Sequence, residues 1–306
     1  MPHACVPSQK PVLVTGAGGF VGFAMVQELR ARGKEVTALV RNARDAQAVA
    51  GVGARPVIGD VFHDASLEQA FSPRPQAVVQ LIGLKSHVNA TERVLANAAR
   101  FGVRRYMHLS ALGAEPDARA RYHKKKWQAE EHIRAAPVDW TIFQPSVIFG
   151  EQCDFIKILE ILVRIPAVTP MLGSGQCRIQ PIHVRDVARV VSDALVDPEA
   201  IGKAYHLGGP DALSMDEVLT LLERRAGKKK LRQHLPLNSG RIIIAAQHSL
   251  LLGWLLRRMY GDITPERWLN ADHLELLLED NICRSSKVFK ANGIAMTTLA
   301  AWLSSG

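Results

Sequence analysis

The chain has 306 residues, a hydrophobic fraction of 47% and a formal net charge of +9, enough length and apolar content to bury a sizeable core and too much for a disordered or fibrous protein. Four cysteines (Cys5, Cys153, Cys177 and Cys283) with no C-x-x-C pair exclude a disulfide framework and a cysteine-based zinc site, so no metal is expected. No run reaches the roughly 18 apolar residues of a spanning helix, and Met1 to Lys10 lack the apolar core of a signal peptide.

A basic field attracts phosphate-rich surfaces. Lys124-Lys125-Lys126 and Lys228-Lys229-Lys230, however, lie in or beside helical patterns without interleaved aromatics. They read as solvated faces, not as a base-stacking nucleic-acid surface, and a reducing, cytoplasmic setting is expected.

In chain order, Val12-Leu-Val-Thr15 is an apolar strand running into Gly16, Gly19 and Gly22, spaced G-x-x-G-x-x-G, and then into an apolar-periodic helix from Val21 to Arg32 closed by Gly33. A tight strand-to-helix turn needs positive φ, a diphosphate needs backbone without a Cβ in its way, and the helix must pack closely on its strand. The helix N-terminus then presents unpaired amides and a partial positive charge to the diphosphate. This pattern points to a dinucleotide. The second strand, Val36 to Val40, ends in Arg41-Asn42, about 20 residues on, where an acid would grip the ribose of NAD. The guanidinium of Arg41 suits a 2′-phosphate, so NADP(H) is expected, with NAD(H) as the alternative. Asp45 reads as too far into the next helix to replace the missing acid.

Strands and helices then alternate. Arg55 to Gly59 is a short strand. A helix starts at Ser66 with an S-x-x-Q capping box, Ser66 and Gln69. Ala77 to Ile82 is a buried strand, Thr91 to Phe101 a helix, Arg105 to Leu109 a strand, Tyr122 to Arg134 a helix and Trp140 to Phe143 a strand. Such alternation builds a doubly wound parallel α/β sheet, a Rossmann fold. From about Gly150 the rhythm turns helical and proline-rich. Ile179 to Val184 and Ala204 to Leu207 then read as a return to the sheet. Residues 10–150 are therefore expected to form the dinucleotide-binding domain, rejoined by 177–207. Residues 151–176 and 208–306 are expected to form a smaller, mainly helical subdomain for substrate or partner. Ser214-Met-Asp-Glu217 is a capping box opening a helix to about Ala226. The apolar segment 242–256, flanked by Arg241 and by Arg257-Arg258, is too short and interrupted to span a bilayer. It is expected to be a buried or partner-facing helix, with peripheral membrane contact as the alternative.

Tyr122 and Lys126 are four apart on one helix and share a face, and Ser110 ends the preceding strand. In such a trio hydroxyls hold a substrate carbonyl, while the ammonium lowers the tyrosine pKa so that a proton can move with a hydride.

At these positions the chain resembles the short-chain dehydrogenase/reductases of the extended or atypical branch. Thr15-Gly16-Ala-Gly-Gly19-Phe20-Val21-Gly22 resembles their cofactor loop, Gly59-Asp60-Val61 their adenine-contacting turn and Leu81-Ile-Gly83 the strand end beside the cofactor. Pro145-Ser146-Val-Ile-Phe-Gly150 resembles the segment flanking nicotinamide, and Pro181-Ile-His-Val-Arg-Asp186 a later structural motif. Within the superfamily it is most similar to the NAD(P)H-binding accessory subunit of respiratory complex I and its bacterial relatives, through His108-Leu-Ser110-Ala-Leu-Gly113, Tyr205-His-Leu-Gly-Gly-Pro210 and the late block Ala271 to Asn281. The resemblance implies cofactor contacts from Thr15, Gly16, Gly19, Phe20, Val21, Gly22, Arg41, Asp60, Val61, Leu81, Gly83, Lys126, Pro145 and Ser146, and catalysis by Ser110, Tyr122 and Lys126. There are departures: His87 falls near the position of a catalytic-site asparagine, with Asn89 two residues later, and Gln144 replaces an arginine common before Pro145. The expectation is an oxidoreductase reducing a carbonyl or quinone-type small molecule. The second reading is a non-catalytic, NADPH-stabilised assembly or interaction factor, and the third a sugar-nucleotide epimerase or dehydratase. Oligomeric state is left open.

Overall fold

The structure is a computed structural model that describes residues 10–82, 87–165, 167–228, 231–236, 239, 279–283 and 295–305. The expected segment 242–256 and Gly83 lie outside them, as does the side chain of His87.

Seven strands form one parallel sheet in the order β3-β2-β1-β4-β5-β6-β11. They are β1 (Val12–Thr15), β2 (Val36–Val40), β3 (Arg55–Ile58), β4 (Ala77–Gln80), β5 (Arg105–Leu109), β6 (Asp139–Pro145) and β11 (Lys203–Leu207). The connecting helices are α1 (Phe20–Ala31), α2 (Ala43–Gly51), α3 (Asp64–Phe71), α4 (His87–Arg100), α5 (Arg121–Ala135) and, later, α7 (Val184–Val196). Strand periodicity sorts the side chains. Val12 and Val14 pack with Met25 and Leu29 of α1 and with Val187, Val190 and Val191 of α7 on one face. Leu13 packs with Leu67 and Phe71 of α3, Val94 of α4 and Ile133 of α5 on the other. With both faces covered, the central strands must be apolar at every position, which is why Val-Leu-Val and Ala-Val-Val run without alternation.

The chain winds outward from β1 to β3 and then crosses back to β4. The crevice at the carboxyl ends of β1 and β4 is therefore the topological switch point where ligands bind in open α/β sheets.

A third core surrounds the later elements: Ile156 and Leu159 of α6 (Asp154–Arg164), Val218, Leu219 and Leu222 of α8 (Met215–Arg225), and Leu299 and Leu303 of the C-terminal helix Leu299–Ser305. Phe20, the first residue of α1, packs against both this core and that of the sheet. The cofactor loop is thus anchored between two packed bodies.

Two local expectations are corrected. Ser66 does not cap a helix: α3 begins at Asp64 after His63, whose carbonyl already accepts the amides of Ser66 and Leu67, and Ser66 lies inside the helix with its hydroxyl against Gly59. Ile179 to Val184 does not return to the main sheet. It divides into β9 (Arg178–Ile179), β10 (Ile182–His183) and the first residue of α7, because Pro181 has no amide for a ladder. β10 pairs with β7 (Ile148–Phe149) and β9 with β12 (Leu213–Ser214), outside the seven-stranded sheet, which gains only β11. The Ser214–Glu217 capping box is present with both of its hydrogen bonds.

Candidate functional site

The glycine loop is shaped by contacts that leave no room for side chains. Gly16 has φ +74°, and a Cβ there would lie 2.7 Å from the Leu81 carbonyl oxygen; one on Gly22 would lie 2.0 Å from the Gly16 carbonyl oxygen. The loop is therefore pressed against the end of β4 and α1 against the loop. Gly19 is the N-cap of α1 and makes no side-chain cap bond; its amide donates to Gly16 O at 3.0 Å, and the first helical bond runs from Phe23 to Gly19. The amides of Phe20, Val21 and Gly22 precede that bond and point out of the helix end. Thr15 is fully buried behind the loop, its hydroxyl without a partner among the described residues.

Arg41 and Arg44 are exposed beside the end of β2. Asn42 between them caps α2: its Oδ1 accepts the Asp45 amide at 2.9 Å, and its Nδ2 donates to the Asp45 carboxylate at 2.9 Å. Because α2 starts directly after β2 and folds back, a Cβ on Gly18 would lie 2.4 Å from Asp45 Oδ2, so the acid stands against the loop. Asp60 is committed to its own turn, accepting the Phe62 amide at 3.0 Å, while Val61 is buried and its carbonyl is held by Arg93 Nε at 2.8 Å.

At the other end of the crevice, Ser110 follows β5 with its amide donating to Phe143 O at 2.7 Å, and its buried hydroxyl has no partner among the described residues. Lys126 is only 5% exposed, and its Nζ donates to Leu109 O at 2.8 Å, one residue before Ser110. Helix α5 thus delivers its lysine to the end of β5. Burial lowers the Lys126 ammonium to about 8, opposed by the negative charge of Glu130. Glu130 is itself fully buried and accepts Gln144 Nε2 at 2.9 and 3.1 Å and Arg134 Nη2 at 2.6 Å. Gln144 therefore supplies a neutral donor to a buried carboxylate. Tyr122 lies one turn before Lys126, its ring 5.3 Å from that of His123, and burial pushes its hydroxyl up to about 12. The expected lowering by Lys126 is not what these surroundings produce: the ammonium is directed at Leu109, and desolvation of the phenolate dominates.

Ser146 has its hydroxyl engaged within the protein. It donates to Asn281 O at 2.7 Å and accepts the Gln180 amide at 3.1 Å. Pro145 accepts the Leu112 amide at 2.8 Å through its carbonyl, tying the turn after β6 to the Ser110 loop. Gln180 and Asn281 were not legible as site residues, since their partners are distant in sequence; Glu130, spaced four from both Lys126 and Arg134 on α5, carried a local signal that reads equally as a solvated ion pair.

Residues 16–198 match the sequence model of a family described as NAD(P)H-binding. The chain belongs to this NAD(P)H-binding family. The uncapped start of α1 and a glycine cradle closed to any Cβ fit the diphosphate of such a cofactor. The chain is 28% identical over 226 residues to the NADH dehydrogenase [ubiquinone] 1 alpha subcomplex subunit 9 of Arabidopsis thaliana, covering 68% of this chain and 56% of that protein. It therefore spans little more than half the length of that relative. It is 26% identical over 217 residues to an NAD(P)H azoreductase of Xenophilus azovorans, covering 71% and 74% of the two chains. The NADPH-dependent quinone oxidoreductase QOR2 of Escherichia coli, solved with NADPH, matches the fold with a TM-score of 0.73 at 20% identity, over 96% of this chain and 99% of that one. Among the described residues no group of three or more His, Cys, Asp and Glu could hold a metal ion, and no helix is long and apolar enough to cross a membrane.

Proposed function

We propose that this protein is an NADPH-dependent reductase acting on a carbonyl or quinone-type small molecule. The observation that carries this reading is the meeting of Lys126 with the end of β5: a buried ammonium 2.8 Å from the Leu109 carbonyl, next to the buried hydroxyl of Ser110, which has no partner among the described residues. A buried hydroxyl without a partner costs about 1–3 kcal/mol, a penalty that a bound acceptor oxygen would relieve.

When bound, the nicotinamide cofactor supplies the hydride. The chain's own groups hold and move the proton. Ser110 orients the substrate oxygen. Tyr122, protonated at neutral pH, is the proton donor. Lys126 places positive charge beside the developing oxyanion and beside the ribose, and Glu130 opposes the loss of that charge. Preference for the phosphorylated cofactor is supported by the exposed Arg41 and Arg44, while one oxygen of the Asp45 carboxylate is occupied by the Asn42 side-chain amide.

The test is Tyr122→Phe assayed with NADPH and menadione. Turnover should fall by about 10²–10⁴-fold, the usual worth of a positioned acid, with NADPH affinity within about threefold. Equal turnover in the two proteins removes Tyr122 from the reaction. A second reading, an NADPH-stabilised subunit of a larger assembly, is favoured by the likeness to the Arabidopsis subunit; it expects tight NADPH binding without oxidation by any acceptor.

A further inference from the structure

Residues 279–283 run across the loops that follow β5 and β6, and nothing in the proton or cofactor chemistry above uses them. Three polar groups of Asn281 join segments far apart in sequence. Its amide donates to Arg178 O at 2.7 Å, its carbonyl accepts the Ser146 hydroxyl at 2.7 Å and the Gln180 amide at 3.2 Å, and its Nδ2 donates to Leu112 O at 2.9 Å.

The neighbours hold this residue in place. Asp280 accepts the Arg178 amide at 2.8 Å on one oxygen, and Nε at 2.9 Å and Nη2 at 2.6 Å on the other. Gln180 accepts the Cys283 amide at 2.9 Å and donates to Gly209 O at 2.8 Å. Asn281 also pairs with Ile179 as a parallel bridge.

Leu112 decides what this arrangement does. Its amide already donates to Pro145 O at 2.8 Å, so the Ser110 loop and the Pro145–Ser146 turn are joined directly there. Asn281 then takes the carbonyl of Leu112 with its side chain and the hydroxyl of Ser146 with its backbone, closing a bracket around the same junction. The side chain must carry an amide donor. Aspartate has the same shape but would aim a carboxylate at a carbonyl oxygen and make no bond there.

We propose that Asn281 is a positioning residue that holds the Ser110 loop and the Pro145–Ser146 turn in register across the crevice. Its effect on the loops stands by itself, and its effect on turnover rests on the reductase reading above. A displacement of about 1 Å at a reacting group can cost on the order of 10²-fold in rate, and Ser110 lies two residues from the pinned carbonyl.

The experiment compares wild type with Asn281→Asp and Asn281→Ala by hydrogen exchange, NADPH equilibrium dialysis and turnover with menadione. The expected result is exchange about tenfold faster in peptides covering 110–114 and 145–148, unchanged exchange in 12–22, NADPH affinity within about threefold of wild type, and kcat lower by about 10–100-fold. Unchanged exchange at 110–114 in Asn281→Asp overturns the proposal. So does faster exchange with an unaltered kcat, or an even rise over the whole chain, 12–22 included, which would mark general destabilisation. A wild-type protein that never oxidises NADPH defeats the reductase reading, and the exchange arm then decides the bracket alone.

Discussion

Lys126 shows how a single buried charge links the stability of the fold to its chemistry. Its ammonium is lowered from an ordinary value of 10.5 to about 8 by desolvation. The unfolded chain therefore holds that proton more tightly than the folded one, and the penalty is fully present below about 8 and fades as pH rises from about 8 to 10.5. Replacing it by the isosteric Lys126→Met removes this dependence. In denaturant titrations wild type should gain about 3 kcal/mol on the variant across that window, and a constant difference would contradict the assignment of Lys126 as a desolvated ammonium. Arg41 is the complementary case of an exposed charge whose value depends on a ligand. Arg41→Ala should weaken NADPH by about tenfold or more, the worth of a charge-assisted hydrogen bond, and leave NADH nearly unchanged. Comparable losses for both cofactors would place Arg41 away from the 2′-phosphate and turn attention to Asp45.

At the scale of elements, strand-turn-helix at the amino end was legible because its requirements are local: a continuous apolar run, glycines where no Cβ fits, and a periodic helix. Gly22→Ala tests that packing. Its Cβ would fall 2.0 Å from backbone at Gly16, which a flexible side chain cannot relieve, so about 1–3 kcal/mol of stability should be lost together with NADPH binding. Thermal unfolding and dialysis measure both; retention of both would mean that α1 does not rely on this close approach. The Ser214 box was equally local and is present, whereas Ser66 carried the same signature and sits inside α3. The difference is that the His63 carbonyl had already begun the helix, a competition that a four-residue pattern cannot register. Pro181 likewise broke an apolar run that periodicity read as one strand.

For the whole molecule, cofactor binding and folding should be coupled, because Phe20 at the head of the cofactor loop packs into both the sheet core and the C-terminal core. NADPH at about 100 times its dissociation constant should add roughly 2.7 kcal/mol to stability by mass action. A melting temperature indifferent to NADPH would exclude binding to the folded chain. By itself, the sequence determined the parallel α/β fold, the dinucleotide turn and the candidate trio Ser110, Tyr122 and Lys126, because these rest on strand and helix periodicity, on glycine's missing Cβ and on the four-residue spacing of one helix face. Only the tertiary structure decided that Lys126 reaches the Leu109 carbonyl, that Glu130 is buried with Gln144 and Arg134, that Asp45 stands against the glycine loop, and that Asn281 joins Leu112 to Ser146. Apart from the Glu130–Arg134 pair within α5, those contacts join residues from separate elements, up to 169 positions apart in the case of Asn281 and Leu112. Burial and hydrogen-bond geometry over such separations exist only once the chain has closed on itself, and no local pattern encodes them.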